Sequence, residues 1–458
     1  VEADRKILGF GALFAASIGV IVSQVTTVSV LQGVGLGGSG FFIAMGLAFL
    51  LALTNAMAYT EMALMMPEVT SLSSYAEAAI GNFPAIIVVF AGYVTPVMFG
   101  GAGELILMNQ VLGQTLPFTT PVFLWPTLIV VIFALLNILG TDVFARVQTA
   151  LSCIVLAFLL ITGGLAIAGV GVAPLPGGSD AGWQALSHDT LTLGVAALAF
   201  WAFVGSEFVT PLVAEARTPD RDLPRAMLGG LVIIFIAYMA FALGSAFFVP
   251  RAALAQGAAP HLDFAVAVYG PKARIWFSVL AILASASLMN TLLAAVPRML
   301  SGMANNGQVF PVFKRVSAKF GTPAYAIAFV AALPLVGVAW SHGNSDAILP
   351  LIIASSITWL LAYILAQVSL MVLRYRHPDW RRPFRVPLFP LLPIGAIGAM
   401  AYVALNSAPT PEMRPQIAEY TGVVLALFSV VGAIWVRFIM KKRLFEPVTP
   451  VEDTQHGA

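Results

Sequence analysis

The sequence predicts an all-α integral membrane protein with twelve transmembrane helices, and three observations carry that expectation. Of 458 residues, 59% are hydrophobic and only 10% charged, with a mean hydropathy of +0.93. Soluble domains carry about 25% charged residues, so a soluble fold is excluded. Charge-free windows run over 7–60, 105–141, 147–179, 226–250, 275–297, 347–373 and 420–436, and one span takes about 20 apolar residues. The basic residues are also partitioned. With the N-terminus inside, nineteen of 23 Lys and Arg fall on the inner face and four, Arg251, Lys272, Arg274 and Arg414, on the outer, as the positive-inside rule requires. The loop 64–83 is an exception, internal in this topology yet without Lys or Arg.

In chain order, residues 1–7 form a short polar cytoplasmic N-terminus. No small-residue cleavage site separates it from the first span, so no removable signal peptide is expected. Splitting the windows at Gly, Pro and polar clusters places helices at 8–33, 38–63, 84–112, 120–139 and 144–169, a first five-helix unit over 8–169. A second unit over 190–373 holds helices at 190–214, 226–249, 274–303, 323–341 and 347–373. An odd number of spans per unit inverts the second relative to the first. Helices 388–406 and 418–438 form a pair over 388–438 outside the repeat, and 439–458 is a cytoplasmic tail, polar from Arg443 onward and expected to be mobile. Short amphipathic segments at 71–81 and 260–271 lie between spans, and the basic, Pro-rich run Arg374 to Pro387 reads as a membrane-surface linker.

Several classes of function find no support. Cys153 is alone, so no intrachain disulfide forms. The basic residues make no aromatic-interleaved stripe for nucleic acid. His188, His261, His342, His377 and His456 fall in loops or the tail without metal-ligand spacing. No enzymatic centre, cofactor or metal is therefore expected, and nothing speaks to an oligomeric state.

What remains informative is a pair of interruptions. Ile18 to Gln24 breaks the first helix and Phe203 to Glu207 breaks the sixth. Backbone groups freed at membrane depth persist only against protein or a water-filled cavity. Interruptions at corresponding positions of two halves mark a transporter's substrate site. Glu207 stands in one of them, where a carboxylate in hydrocarbon costs about 2.5–3.5 kcal/mol on insertion scales. It is either the partner of a cationic substrate, a group protonated and released during the cycle, or a packing residue tied to free amides. Glu104, after Phe99-Gly-Gly-Ala-Gly, draws cations to an outer vestibule or merely reaches the interface. No Lys or Arg lies deep in any span, so the pathway carries a negative potential. The candidate substrate-binding set is Ile18, Gly19, Val22, Ser23, Gln24 and Val25 on the first helix and Thr95 and Glu104 on the third. Trp201, Phe203, Val204, Gly205 and Glu207 on the sixth and Met289 and Asn290 on the eighth complete it, with Glu207 also the proton-coupling candidate. Ser285, Ser287, Asn290 and Thr291 either complete a sodium site with first-helix carbonyls or hydrogen-bond between helices.

Three stretches carry a resemblance. Phe200-Trp-Ala-Phe-Val-Gly-Ser-Glu207 with Ala214 to Ala226, Arg298 to Gln308 with Lys319-Phe-Gly-Thr-Pro323, and Arg382 to Pro393 resemble segments of the amino acid–polyamine–organocation transporters. The resemblance implies a LeuT-type fold, a 5+5 inverted repeat with discontinuous helices 1 and 6. It also implies a midplane substrate site between helices one, three, six, eight and ten. Trp201 to Glu207 resembles the matching segment of bacterial arginine/agmatine and putrescine/ornithine exchangers. By that likeness Trp201 packs on the substrate and Glu207 recognises the amine or governs proton dependence; without it, Trp201 is an ordinary packed aromatic.

The first helix departs from the family. Members show Ile-Gly-x-Ile-Ile-Gly-Ser/Ala-Gly, whose glycine amides bind the substrate carboxylate, whereas here Ser23-Gln24-Val25 replaces Gly-x-Gly. Side chains at 23 and 25 restrict the backbone geometries that offer amides to an anion. Either the Ser23 and Gln24 side chains substitute, or the substrate is an amine lacking a carboxylate. Proton-coupled members place a Lys in helix five where this chain has Val155, and the exchangers carry an aromatic where Asn290 falls. The expectation is a secondary transporter of a small organic amine or amino acid in the cytoplasmic membrane, both termini inside. A polyamine or basic amino acid is favoured, by antiport or proton coupling. The alternatives are a sodium- or proton-coupled symporter of neutral amino acids and, less favoured, a channel.

Overall fold

The computed structural model describes residues 7–67, 71–116, 118, 121–175, 193–408 and 410–448. Residues 1–6, His188, residues 190–192 at the expected start of the sixth helix, and the tail beyond 448 with His456 lie outside the described residues. Within them the chain is helical, and the one β feature is an isolated bridge between Leu8 and Ala216. The first five-span stretch contains α1 (Phe10–Gly19), α2 (Gln24–Gly37), α3 (Ser39–Met65), α4 (Ser71–Ala79), α5 (Asn82–Val89), α6 (Thr95–Thr115), α7 (Leu124–Ile138) and α8 (Thr141–Ile167). After it come α9 (Ala196–Trp201), a 3₁₀ segment (Ser206–Glu215), α10 (Pro219–Phe248), α11 (Arg251–Gln256), α12 (Pro260–Tyr269), α13 (Ala273–Asn305), α14 (Ala324–Trp340) and α15 (Ile348–Arg376). α16 (Leu391–Leu405) and α17 (Arg414–Ile434) close the chain.

Each predicted helix appears as a helical segment, but not all have span length. Among the described residues eight stretches are long and apolar enough to cross a membrane, or nine with the bent pair α1–α2 taken as one. α7, α14 and α16 have 15, 17 and 15 residues, short of the about 20 that cross a bilayer core upright. The predicted third helix is also not uniform. A π turn, Phe90–Val94, joins α5 to α6, and the Thr95 hydroxyl donates to the Phe90 carbonyl at 3.0 Å. A π turn holds an extra residue and so swings the faces on either side of it.

Both interruptions form where the sequence places them. α1 and α2 meet at 54° across Val20–Ser23, and the Ser23 hydroxyl caps α2 by accepting the Thr26 N–H at 3.1 Å. In the second break Gly205 takes φ +116°, and a Cβ there would stand 2.9 Å from the Val20 side chain. Left-handed backbone without a side chain is therefore what lets the two breaks touch.

Two inner segments differ from expectation. The basic run after α15 is not a free linker. Glu61, buried in α3, accepts from Arg374 Nε at 2.7 Å and from the Val386 N–H at 2.6 Å, with Arg382 Nε at 3.5 Å. The beginning of the tail is docked rather than mobile. The Phe83 N–H donates to the Leu444 carbonyl at 3.1 Å, the Val448 N–H to the Glu77 carbonyl at 3.2 Å, and Phe445 meets the Phe83 ring edge-on at 5.7 Å. A backbone pairing plus one aromatic contact is enough to order a segment whose composition reads as polar.

Glu61→Gln strips two arginines of a buried counter-charge. Breaking such a pair costs about 3 kcal/mol, so a clear drop in the detergent Tm is expected, and an unchanged Tm would show that the clamp does not hold the loop.

Candidate functional site

The site is built where the breaks leave backbone groups without helical partners. At the first break the orphan donors come first. The Gln24 N–H donates to Glu104 Oε1 and the Val25 N–H to Glu104 Oε2, both at 2.9 Å. The Ser285 hydroxyl from α13 reaches Glu104 Oε1 at 2.6 Å and Gln24 Oε1 at 3.1 Å. One hydroxyl proton serves one of these acceptors, and the shorter, charged one is the stronger. Glu104 is fully buried. The sequence offered it an outer vestibule or the interface. Instead α6 aims it inward at the start of α2, because an anion there satisfies two free amides and the positive end of the helix dipole.

Carbonyls in and beside the same break accept hydrogen bonds from other helices. Ser287 Oγ donates to the Gly19 carbonyl at 2.9 Å, Ser152 Oγ to the Ala15 carbonyl at 3.2 Å and Tyr238 OH to the Ile21 carbonyl at 2.8 Å. The Gln148 amide joins Ser152 and Ser287 at 2.9 and 2.8 Å. Asn290 Nδ2 in turn donates to Gln148 Oε1, and Asn137 Nδ2 to Asn290 Oδ1, each at 3.0 Å. Ser285, Ser287, Asn290 and Thr291 are thus all spent on interhelical or intrahelical hydrogen bonds.

Glu207 occupies the second break. Its carboxylate accepts from Trp359 Nε1 at 2.9 Å, Tyr363 OH at 2.6 Å and Tyr93 OH at 3.2 Å. The Tyr59 hydroxyl lies 3.2 Å from that of Tyr93, and the Gly205 N–H donates to Tyr363 OH at 3.3 Å. Aromatic rings pack around Trp359: Trp201, Phe208 and Tyr93 each meet it edge-on, at 5.8, 5.6 and 6.0 Å between centroids. Trp201 packs so tightly over Gly100 that a Cβ there would lie 2.5 Å from the indole. Its own ring N–H is buried without a hydrogen-bond partner among the described residues.

The predicted residues therefore divide. Ser23, Gln24, Val25 and Glu104 meet at the first break and Trp201, Gly205 and Glu207 at the second, with Gly19 at the end of α1 and Val22 on the unwound segment joining the first. Ile18 and Val204 are buried apolar walls. Others are engaged elsewhere. Phe203 packs on Phe49 and Phe235 at 6.1 and 6.0 Å, Asn290 belongs to the Gln148 network, Met289 faces Gly101, and Thr95 bonds within the π turn. Sequence reasoning missed Tyr93, Trp359, Tyr363, Gln148, Tyr238 and His261. Trp359 and Tyr363 stand four apart on α15 and so share a face, a signal that was there to read. Gln148 is an amide in an apolar span, which needs a partner for the same reason.

Among the described histidines, His261 leaves its expected place in a loop. α12 buries it beside the first break, with Nε2 3.3 Å from Gln24 Nε2. A cavity of about 20 Å³, lined by Gln24, Thr27 and His261 among others, lies next to it, room for about one water. Burial pushes the imidazole from 6.5 down to about 3. Among the described residues no three His, Cys, Asp or Glu side chains gather as a metal site.

This geometry belongs to a known family. Residues 8–440 match the amino acid permease family, and the chain is a member of it. The branched-chain amino acid permease BcaP of Bacillus subtilis is 26% identical over 440 residues, 88% of this chain and 86% of that protein. The serine/threonine exchanger SteT of the same organism is 26% identical over 80% of this chain and 82% of its own length. A crystal structure of the Eremococcus coleocola manganese transporter superposes with a TM-score of 0.52 over 94% of both chains at 15% identity. The fold is therefore the all-α LeuT-type fold of the amino acid–polyamine–organocation superfamily, in a multi-pass membrane protein that is a transporter and not an enzyme.

An unfolded histidine takes up a proton near pH 6.5, the buried one only near pH 3. Stability contributed by neutral His261 is thus intact above pH 6.5 and lost progressively as the pH falls towards 3. His261→Gln should show a smaller Tm loss between about pH 7 and pH 4.5 than the wild type, and an equal loss would remove His261 from the acid limb.

Proposed function

We propose that the protein carries a small organic amine, a polyamine or a basic amino acid, across the cytoplasmic membrane by alternating access, in exchange for a second solute or coupled to protons. The observation that supports this best is Glu207. Its three partners among the described residues, Tyr93, Trp359 and Tyr363, are all neutral. Neutral donors stabilise a carboxylate but leave its charge in place, and a buried charge without a counter-ion is costly. A substrate ammonium supplies the missing charge, and so does a proton. Because one carboxylate cannot serve both at once, the two compete, which couples amine binding to pH. The faces of Trp201 and its neighbours add cation–π attraction at the same place. The sixth-helix likeness to arginine/agmatine and putrescine/ornithine exchangers points the same way.

In this reading the moving parts are the five-helix units 8–169 and 190–373, with 388–438 an accessory pair and both termini cytoplasmic. Contacts between the segments assigned to the inner face are consistent with their sharing one side, and the charge bias is what makes that side the cytoplasmic one in this reading. Leu8 bridges to Ala216, Arg298 lies 3.4 Å from Glu215, Asn306 donates to Glu77 at 2.9 Å and Arg381 pairs with Asp220 at 2.7 Å.

A neutral amino acid substrate is the second reading, favoured by what BcaP and SteT are named for. Coupled to sodium, it would have to free the Ser287 hydroxyl, which donates to Gly19 and accepts from Gln148.

Uptake of labelled polyamines, basic and neutral amino acids into proteoliposomes, with and without internal substrate, separates the readings. Glu207→Gln should lower uptake of the cationic substrate at least about tenfold, the size of one charge-assisted hydrogen bond, and flatten the pH profile. Wild-type selectivity and pH response in that variant would sink the proposal.

A further inference from the structure

Every donor at the start of α2 is already taken. Four amides open that helix. Those of Gln24 and Val25 donate to the two oxygens of Glu104 at 2.9 Å each, that of Thr26 to the Ser23 hydroxyl at 3.1 Å, and that of Thr27 to the Ser23 carbonyl at 3.1 Å. The first turn of a helix is where orphan amides and the dipole hold an anion, and in transporters built on broken helices a substrate's anionic group binds there. In this chain that place is filled from within. Glu104 is 0% exposed and carries a third hydrogen bond from Ser285 at 2.6 Å.

We infer that Glu104 acts as a built-in carboxylate that selects substrates without one, so that the transported molecule is an amine and not the α-amino acid bearing the same side chain. The inference rests on the amine reading of Glu207. Its physical basis is exclusion. A substrate carboxylate would need the amides of Gln24 and Val25. To take them it must strip Glu104 of its donors and leave that charge buried and bare, or sit against it as a like charge. Both are heavily penalised away from water. An amine lacking the carboxylate meets no such conflict, and it finds Glu207 free of any basic partner among the described residues. Discrimination then comes from a repulsive element in the site as much as from an attractive one. Glu104 also closes the helix break, and that structural work is what a purely architectural residue would do alone. The two roles differ in what removal does. Losing a staple weakens every ligand alike, whereas losing a built-in carboxylate opens the amides to a carboxylate from outside.

Binding to the purified full-length protein in detergent, by calorimetry, tests this with three matched pairs: putrescine and ornithine, agmatine and arginine, isoamylamine and leucine. The wild type should bind the amine of at least one pair about a hundredfold or more tighter than its carboxylated partner. In Glu104→Ala the ratio for that pair should narrow at least about tenfold, and formate or acetate should restore amine binding by reoccupying the amides. Glu104→Gln, which keeps one acceptor oxygen for the amides, should fold and show an intermediate ratio. Wild-type protein that binds the amino acid as tightly as the amine overturns the inference and leaves the Glu207 reading standing. An unchanged ratio in folded Glu104→Ala or Glu104→Gln overturns it as well. Binding of none of the six compounds overturns the proposed function and this inference together, and if the alanine variant does not fold, the wild-type ratio and the glutamine variant decide.

Discussion

The interrupted helices impose one demand from which the rest of the site follows: backbone groups freed inside a membrane protein must find protein partners. At the first break the N–H groups of Gln24 and Val25 and the carbonyls of Gly19 and Ile21 look in different directions. They recruit Glu104 from α6, Ser287 from α13 and Tyr238 from α10. At the second break Gly205 gives its N–H to Tyr363 on α15. Four helices distant in sequence are thereby drawn to two short unwound stretches. The position of each helix in the bundle is tied to satisfying a hydrogen bond as well as to burying apolar surface.

The same accounting sorts the buried acids by role. Glu61, Glu104 and Glu207 are exposed by 0%, 0% and 1%, so burial does not distinguish them. Their partners do. Glu61 has two arginines and a backbone amide, a complete ion-pair cluster on the inner side with nothing left to bind. Glu104 has two amides and a hydroxyl, so its charge is met by dipoles locked into the fold. Glu207 has two phenols and an indole, groups on side chains that can turn away from it. A ligand can replace a rotatable donor at little cost but cannot replace a helix end without unfolding it. On the proposed function, this asymmetry is what would fit Glu207 to a transported cation and Glu104 to a permanent place in the fold.

The fold was largely legible because hydropathy windows and charge bias report on the membrane, which acts on every residue in the same way. The breaks were legible for a related reason, since Gly205 and the polar pair Ser23–Gln24 are out of place in an apolar span. What was not legible was azimuth. Spans buried on several sides have no single apolar stripe, so nothing in the pattern says that Glu104 turns toward Gln24, 80 residues away in sequence. For the same reason the sequence leaves open whether Asn290 faces a ligand or another helix, and it faces Gln148. The span-length shortfall of α7, α14 and α16 was hidden because their flanking residues are apolar enough to extend the windows. His261 was expected in a loop, but the segment between spans folds as α12 against the bundle and buries what a surface loop would expose.

α15 joins these observations into a mechanical argument. Near its middle, Trp359 and Tyr363 hold Glu207; near its inner end, Arg374 holds Glu61 on α3. Tyr363 and Arg374 are eleven residues apart, about 16 Å along a helix rising 1.5 Å per residue. In the proposed cycle, a substrate ammonium that took Glu207 from its aromatic donors would release α15 at its centre while the ion pairs with Glu61 still held its end. The helix would then be free to tilt about the Glu61 clamp, and Gly205 against Val20 is where such a tilt would separate the two breaks with no side chain in the way. On that proposal the buried ion-pair cluster at Glu61 sits where a pivot would be needed, and the hydrogen bonds from rotatable side chains sit where the ligand would act.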